Sequence, residues 1–278
     1  MRYTPRLPRT NVNVTPGSPL KEFLLLAVGL LGLIAGTYLL LGLAVDWLAP
    51  RISPELENKM AAPLLRSLDR APENDSRVRC LQRLVDGLQS RCAHLPYRFR
   101  VHVQDSDAVN AVALPAGHIV VYRGLLDRVS SENELAFVLA HEMGHYAHRD
   151  HLRGLGRGLV LMAIASFLTG DDSSLNSLLS ATLNLSEMRF SRSQESQADA
   201  FALQELNCFY GHVGGAFDLF EKLPETVGPE SVTHYFASHP ANRKRIRDLK
   251  KLARSRGYSE RPPKPLHHPF GKSCLNPG

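Results

Sequence analysis

The sequence predicts an α+β fold: a predominantly helical domain with a small β-sheet beside a histidine-bearing helix, preceded by one transmembrane helix. Three observations predict it. An apolar run without a charge extends from Phe23 to Val45. Short stretches between Tyr97 and Tyr122 have the alternation or the β-branched content of strands. Two later stretches carry histidines and carboxylates four residues apart, the spacing that puts side chains on one face of a helix.

Residues 1–20 are rich in Pro, Thr and Asn, and 1–22 is expected to be a disordered cytoplasmic lead. Residues 23–45 form the expected anchor. At ~1.5 Å per residue they are long enough for a ~30 Å hydrocarbon core. Gly29, Gly32, Gly36 and Gly42 are tolerated in such helices, and Gly32 with Gly36 makes a G-x-x-x-G pair that can serve helix association. A cleaved signal peptide is the alternative. Against it stand the long lead, the long apolar run and the lack of an A-x-A site. Arg2, Arg6, Arg9 and Lys21 precede the span, while Arg51, Lys59 and Arg66 follow it among acids. That asymmetry places the amino end in the cytoplasm and the domain on the extracytoplasmic side of the cell membrane, the periplasm in a bacterium.

Residues 46–74 are expected as a linker and helix. Pro50 and Pro54 break the chain, and Leu56–Leu68 and Val78–Leu88 are amphipathic, separated by the turn at 72–75. In Tyr97–Gln104, Phe99, Val101 and Val103 share one face, so a half-buried strand is expected. Ala108–Leu114 and His118–Tyr122 are two more strands around Pro115-Ala116-Gly117. Residues 75–257 make up the main domain. Leu155–Leu168 is apolar but short for a span, either a core helix or one that dips into the membrane surface. Asp171–Ser174 then breaks the chain, and 258–278 is expected as a flexible tail, with His267 and His268 incidental.

The stretch His141-Glu142-Met143-Gly144-His145 carries the chemistry. Ser131 is a suitable N-cap with Glu134 as capping-box partner, and Leu135–Ala140 is an apolar run leading into the pattern. On a helix His141 and His145 can hold one metal ion. Glu142 stands beside them to take a proton from an activated water, and Ala140 and Gly144 leave room. A third ligand is needed. His151 has metzincin spacing, but position 148 holds His where that pattern needs Gly, so 148–151 reads as a polar helix end. Glu195 is the better candidate. It lies on a helical stretch, 186–206, with Asp199 four residues on, placed to accept the spare N–H of a metal-bound imidazole.

H-E-x-x-H followed by E-x-x-A-D resembles the pattern of the M48 metallopeptidases, the HtpX-like, Oma1-like and Ste24-like proteases. Three further stretches agree: Asn110–Ile119 resembles that family's N-A-x-A-x-P-G-G strand and turn, with His118 taken as replacing the second glycine; Arg192 stands three before Glu195; and Ser238-His239-Pro240 with Arg245-Ile246 resembles H-P-x-x-x-x-R-I. The resemblance covers about residues 75–255. It implies a zincin-like domain, with Asn110, Ala111, Val112 and Ala113 as an edge strand that pairs with a substrate backbone. An ordinary core hairpin is the alternative for that strand.

The net charge is +6 and the pI about 9.2. No helix-turn-helix or aromatic-basic pattern accompanies the charge, so no nucleic-acid partner is expected. Anionic lipid is the simpler partner for a tethered basic protein. Cys80, Cys92, Cys208 and Cys274 contain no C-x-x-C pair, so cysteine-bound zinc is not expected. A straight helix would hold Cys80 and Cys92 about 18 Å apart, so they pair only if the chain bends near Gly87. Other pairings and free buried thiols stay open.

The expectation is therefore a zinc metalloendopeptidase with one Zn2+ per chain held by His141, His145 and Glu195. Glu142 is the base, and His239 or Arg245 stabilises the oxyanion. Arg192 either pairs with a carboxylate near the site or is solvated. His239 could instead occupy the open metal position and keep the enzyme latent. The expected substrates are polypeptides, above all misfolded or misassembled envelope and membrane proteins. The rivals are a non-catalytic, chaperone-like tethered binding protein and a small-molecule hydrolase. A homo-oligomer or a membrane partner is compatible with the sequence.

Overall fold

The computed structural model describes residues 18–66, 70–169, 190–222, 239 and 243–266. The expected break at 171–174, the lead before residue 18 and the end of the tail lie outside them. Helix α1, Pro19–Leu48, carries the apolar run. It is the one described helix long and apolar enough to cross a membrane. A 3₁₀ turn, Ala49–Arg51, leads to α2, Pro54–Arg66, and α3, Ser76–Leu88. Asp75 caps α3 by accepting the Arg77 N–H.

Three strands follow: β1, Arg100–Gln104; β2, Ala111–Leu114; β3, His118–Tyr122. The sheet order is β1-β3-β2. β1 runs parallel to β3 with Arg100 opposite His118, and β2 runs antiparallel to it with Ala111 opposite Val121. The turn between β2 and β3 corrects the glycine expectation. His118 is extended, with φ −88°, and needs no glycine. The left-handed positions are Ala116 at φ 65° and Gly117 at φ 83°. A Cβ at Gly117 would lie 2.5 Å from the Arg98 carbonyl oxygen, so that glycine is required by contact. Ala116 tolerates its conformation because the buried Glu57 carboxylate accepts its N–H at 3.0 Å.

The short α4, Arg123–Leu126, precedes α5, Glu132–Ala147. Ser131 caps α5 by accepting the Glu134 N–H at 3.1 Å. The expected reciprocal bond is not made. Glu134 instead accepts from the Ser130 N–H at 2.9 Å and from Lys222 at 2.6 Å. Tyr146 donates to the carbonyls of Leu114 and His118 and so fastens α5 to β2 and β3. Arg149, left-handed at φ 55°, turns the chain into α6, Asp150–Thr169.

Helix α7, Arg192–Tyr210, starts later than expected, with a full capping box between Ser191 and Gln194. It lies against α5, closest at Gly144, where a Cβ would come within 2.8 Å of the Ala198 Cα. Gly144 thus serves helix contact rather than space for substrate. The short α8, Asp218–Lys222, and α9, Arg243–Ser255, complete the domain. The stretch 258–266, expected as the start of a tail, runs along the beginning of α5. Lys264 N–H bonds to Asn133, and Leu266 is buried.

Cys92 is bonded to Cys208, joining the π-turn after α3 to α7. Cys80 does not pair with Cys92, but it too is disulfide-bonded, and no cysteine is free among the described residues.

Candidate metal centre

The crossing of α5 and α7 brings the sequence-predicted residues together. His141, His145, Glu195 and His239 each offer a ligand atom, all within 4.8 Å of one another, and all four side chains are buried. His141 and His145 lie one turn apart, with their Nε2 atoms 3.2 Å from each other. Each of the other nitrogens has a carboxylate beside it. His141 Nδ1 lies 3.0 Å from Asp199 Oδ1, and His145 Nδ1 lies 3.1 Å from Asp150 Oδ2. His145 Nδ1 is hydrogen-bonded to Asp150 and His141 Nδ1 lies beside Asp199, an arrangement that leaves the two Nε2 lone pairs facing each other. A cation between them removes that repulsion, so the donor set fits a metal ion.

The electrostatics agree. Burial lowers the pKa of His145 to about 3, against the pull of Asp150, so its imidazole is neutral. Burial works against the charge on Glu195, but His239, His141 and Arg245 outweigh it and hold its pKa at about 2. Neutral imidazoles and an ionised carboxylate are the protonation states a metal requires. Asp199 is likewise held far below the usual range: burial opposes its charge, and Arg245 and His141 prevail.

Glu142 contrasts with these carboxylates. Burial, and then repulsion from Glu195, raise its pKa well above the usual range. Neither of its oxygens has a full hydrogen bond, although the Ala113 N–H of β2 points toward it. β2 is an edge of the sheet, and this N–H is the contact between edge strand and base. Asn110 to Ala113 are all buried.

His239 stands within the cluster, its Nδ1 2.9 Å from Glu195 Oε1 and 3.1 Å from His141 Nε2, its Nε2 3.4 Å from Glu142. Its neighbours Ser238 and Pro240 lie outside the described residues. Arg245 is bound to carboxylates rather than presented to a ligand. It grips Asp199 with two bonds of 2.7 Å and Glu195 at 2.6 Å. Arg192 is exposed on the first turn of α7 and makes no ion pair among the described residues. It lines a cleft of about 480 Å³ with Phe190, Glu195 and Arg245.

Sequence reasoning missed two residues. Asp150 was assigned to a polar helix end, yet it orients His145, and Gln194 holds it in turn at 2.8 Å. The left-handed turn at Arg149 brings it back onto His145. Phe190 stacks on the His145 ring at 3.9 Å and roofs the site. His151, the rejected third ligand, is buried beside Glu57 at 3.7 Å.

The family model described as "Peptidase family M48" matches residues 73–253. The chain belongs to peptidase family M48. Named relatives agree. The chain is 32% identical over 155 residues to the mitochondrial metalloendopeptidase OMA1 of Arabidopsis thaliana, covering 54% of this chain and 31% of that one. It is 30% identical over 186 residues to the metalloprotease LoiP of Escherichia coli, covering 65% of this chain and 72% of that one. A putative beta-barrel assembly-enhancing protease of Vibrio cholerae is 26% identical over 160 residues, covering 52% and 33%. The match thus spans about a third of the OMA1 protein and most of LoiP. The M48 family and these names are those of metalloproteases, and a divalent metal is the cofactor they imply.

Proposed function

We propose that this M48 protein is a membrane-anchored zinc endopeptidase, with one Zn2+ held by His141, His145 and Glu195. The observation that carries this reading is the convergence of those three side chains beside the buried Glu142. Zinc bound there supplies Lewis acidity to a water and to the scissile carbonyl. The raised pKa makes the Glu142 carboxylate a stronger base, suited to take a proton from the attacking water and to pass it to the leaving amine. Ala111 to Ala113 of the edge strand hold the substrate backbone, because among the described residues β2 has no strand on its outer side and its Ala113 N–H already faces the base. Asp199, Asp150 and Arg245 are positioning residues. The first two fix the imidazoles, and Arg245 fixes Asp199 and Glu195.

The position of His239 favours the latent arrangement. In contact with two of the three ligands, its imidazole could serve as a fourth ligand in place of water. Release of His239 opens the site, after which its imidazole is near enough to serve the oxyanion.

The substrates proposed are misfolded or misassembled envelope and membrane proteins. A tethered protease meets these first, and the Vibrio cholerae relative is named as a putative beta-barrel assembly-enhancing protease. The catalytic domain lies on the extracytoplasmic side of the inner membrane. The Cys92–Cys208 disulfide supports that side, since such bonds persist in oxidising compartments.

The test uses the full chain in detergent micelles with an unfolded protein as substrate. Glu142→Gln is expected to keep its zinc and to lose at least ~10²-fold in cleavage rate. Equal cleavage by both proteins sinks the mechanism. Zinc in both with cleavage by neither is examined with His239→Ala: a gain of activity supports latency, and continued silence supports a non-catalytic binding protein.

A further inference from the structure

Among the described residues, large apolar side chains are exposed on α1 and at only two other places, Leu56 of α2 and Leu161 of α6. The first turns of helix α6 pack on the domain, with Asp150, His151, Leu152 and Leu155 buried, and no described residue of α6 beyond Leu155 is buried. It begins beside the end of α1, where Arg149 donates to the carbonyls of Ala49 and Ile52. It then runs back along α1. At Gly156 an added Cβ would come within 2.7 Å of Val45 Cγ1. On α1 Ile34, Tyr38 and Val45, which lie on one helical face, are half-buried, while the rest of the apolar run is largely exposed.

Charges end at one level. Asp46 of α1 pairs with Arg157 at 2.7 Å and Arg153 at 3.7 Å, and Arg51 covers the Trp47 ring at 4.1 Å. Past Arg157, α6 carries no charge from Gly158 to Thr169. Arg, Asp and Trp at one height, with an uncharged run beyond it, form the pattern of a headgroup boundary.

We propose that α6 is a second membrane-embedded element, inserted in the acyl layer beside α1. The inference rests on reading α1 as a span: a helix in side contact with the outer part of a span shares its medium. The uncharged run amounts to about 18 Å of helix, so α6 enters a ~30 Å core without crossing it. Two contacts instead of one fix how the catalytic domain sits on the bilayer. Asp150, which orients His145, lies two turns before Arg157, so the metal centre stands roughly 10 Å above the headgroup line. The cleft then reaches polypeptide segments just outside the membrane.

Trp47 is the only tryptophan, which permits a direct test on the full chain in phosphatidylcholine and phosphatidylglycerol vesicles. Leu161→Trp in a Trp47→Phe background reports on α6, and Leu33→Trp in the same background reports on α1. Leu161 is 53% exposed, so the larger ring displaces little packing, and Ala163→Trp, also at an exposed position, gives a second reading. The expected result is blue-shifted emission from both helices, with most intensity lost to lipids brominated on the acyl chain and little to aqueous acrylamide. If the α1 probe behaves this way while the α6 probes are quenched by acrylamide and indifferent to bromine, α6 stands above the bilayer and the proposal is overturned. If the α1 probe also ignores bromine, the anchor reading itself is lost, and the proposal with it.

Discussion

Two helix pairs in this molecule are joined in the same way and do different things. Helices α5 and α7 meet where Gly144 faces Ala198, and α1 and α6 meet where Gly156 faces Val45. In the first pair nearly every residue of α5 is buried, including two histidines and Glu142, and each histidine is held by a carboxylate. In the second pair the contact buries no charged group, and Asp46, Arg153 and Arg157 gather at its edge. Apolar sequence alone does not distinguish them. The difference lies in what surrounds each pair: α5 is enclosed by the sheet, α3 and α7, whereas beyond its buried first turns α6 lies against α1 among the described residues. Close contact through glycine is a means of bringing helices together, and the surrounding elements decide whether that contact supports chemistry or attachment.

The largest effect is expected from breaking the first pair. In Gly144→Ala the new methyl group would meet the Ala198 backbone, with Cα at 2.8 Å and the carbonyl oxygen at 3.1 Å. Backbone cannot rotate away, so α7 must shift and take Glu195 and Asp199 with it. Overpacking of this kind costs about 1–3 kcal/mol. Thermal unfolding should show that loss, and competition with a chelator should show weakened zinc binding. Unchanged zinc affinity would mean that the crossing does not set the ligand geometry.

Asp150→Asn comes next and probes the residue that links the two pairs. Asp150 receives His145 at 3.1 Å and Arg153 at 3.3 Å. Loss of such an orienting carboxylate commonly lowers metal affinity ~10–100-fold. The same range is expected here, measured by zinc competition at constant pH, with the Cys92–Cys208 bond and secondary structure retained. An effect below two-fold would return Asp150 to the role of a helix end.

The legibility of the two pairs in the sequence differs for physical reasons. His141, Glu142, His145, Glu195 and Asp199 were found because helical spacing fixes which side chains share a face before any tertiary contact is known. Asp150 was missed because its contact depends on a left-handed turn at a non-glycine residue, Arg149, which local pattern does not announce. The support of Ala116 by Glu57 and the Cys92–Cys208 bond were missed for a related reason: they join residues 59 and 116 positions apart. The three strands were legible because β-branched alternation is local, and their order was not, because it depends on packing against α5. Leu155–Leu168 was legible as a helix but not as a neighbour of α1, since composition does not name its partner.

A smaller effect sharpens the electrostatic side of the comparison. Glu205 of α7 is 2% exposed, and burial raises its pKa to about 7. The folded state therefore holds this proton more tightly than the unfolded chain, whose value is near 4.5. Its contribution is most favourable below that value and is lost as pH rises through about 7. Unfolding midpoints measured from pH 4.5 to 7.5 should decline with a component that Glu205→Gln removes. The wild-type slope persisting in the variant would assign the dependence to other groups.

The smallest effect is expected where the same substitution is made in the second pair. Gly156→Ala would place a methyl group 2.7 Å from a Val45 methyl. Here the obstacle is a side-chain tip on a helix with few other contacts, and α1 can move outward by a few tenths of an ångström. Alanine also gains about 1 kcal/mol over glycine in a helix interior, which offsets the displacement. Stability within about 0.5 kcal/mol of wild type and unchanged zinc affinity are therefore expected from the measurements applied to Gly144→Ala. A loss of zinc in Gly156→Ala would show that the α1–α6 contact is transmitted through Arg153 and Asp150 to His145, so that the anchor belongs to the metal centre's support.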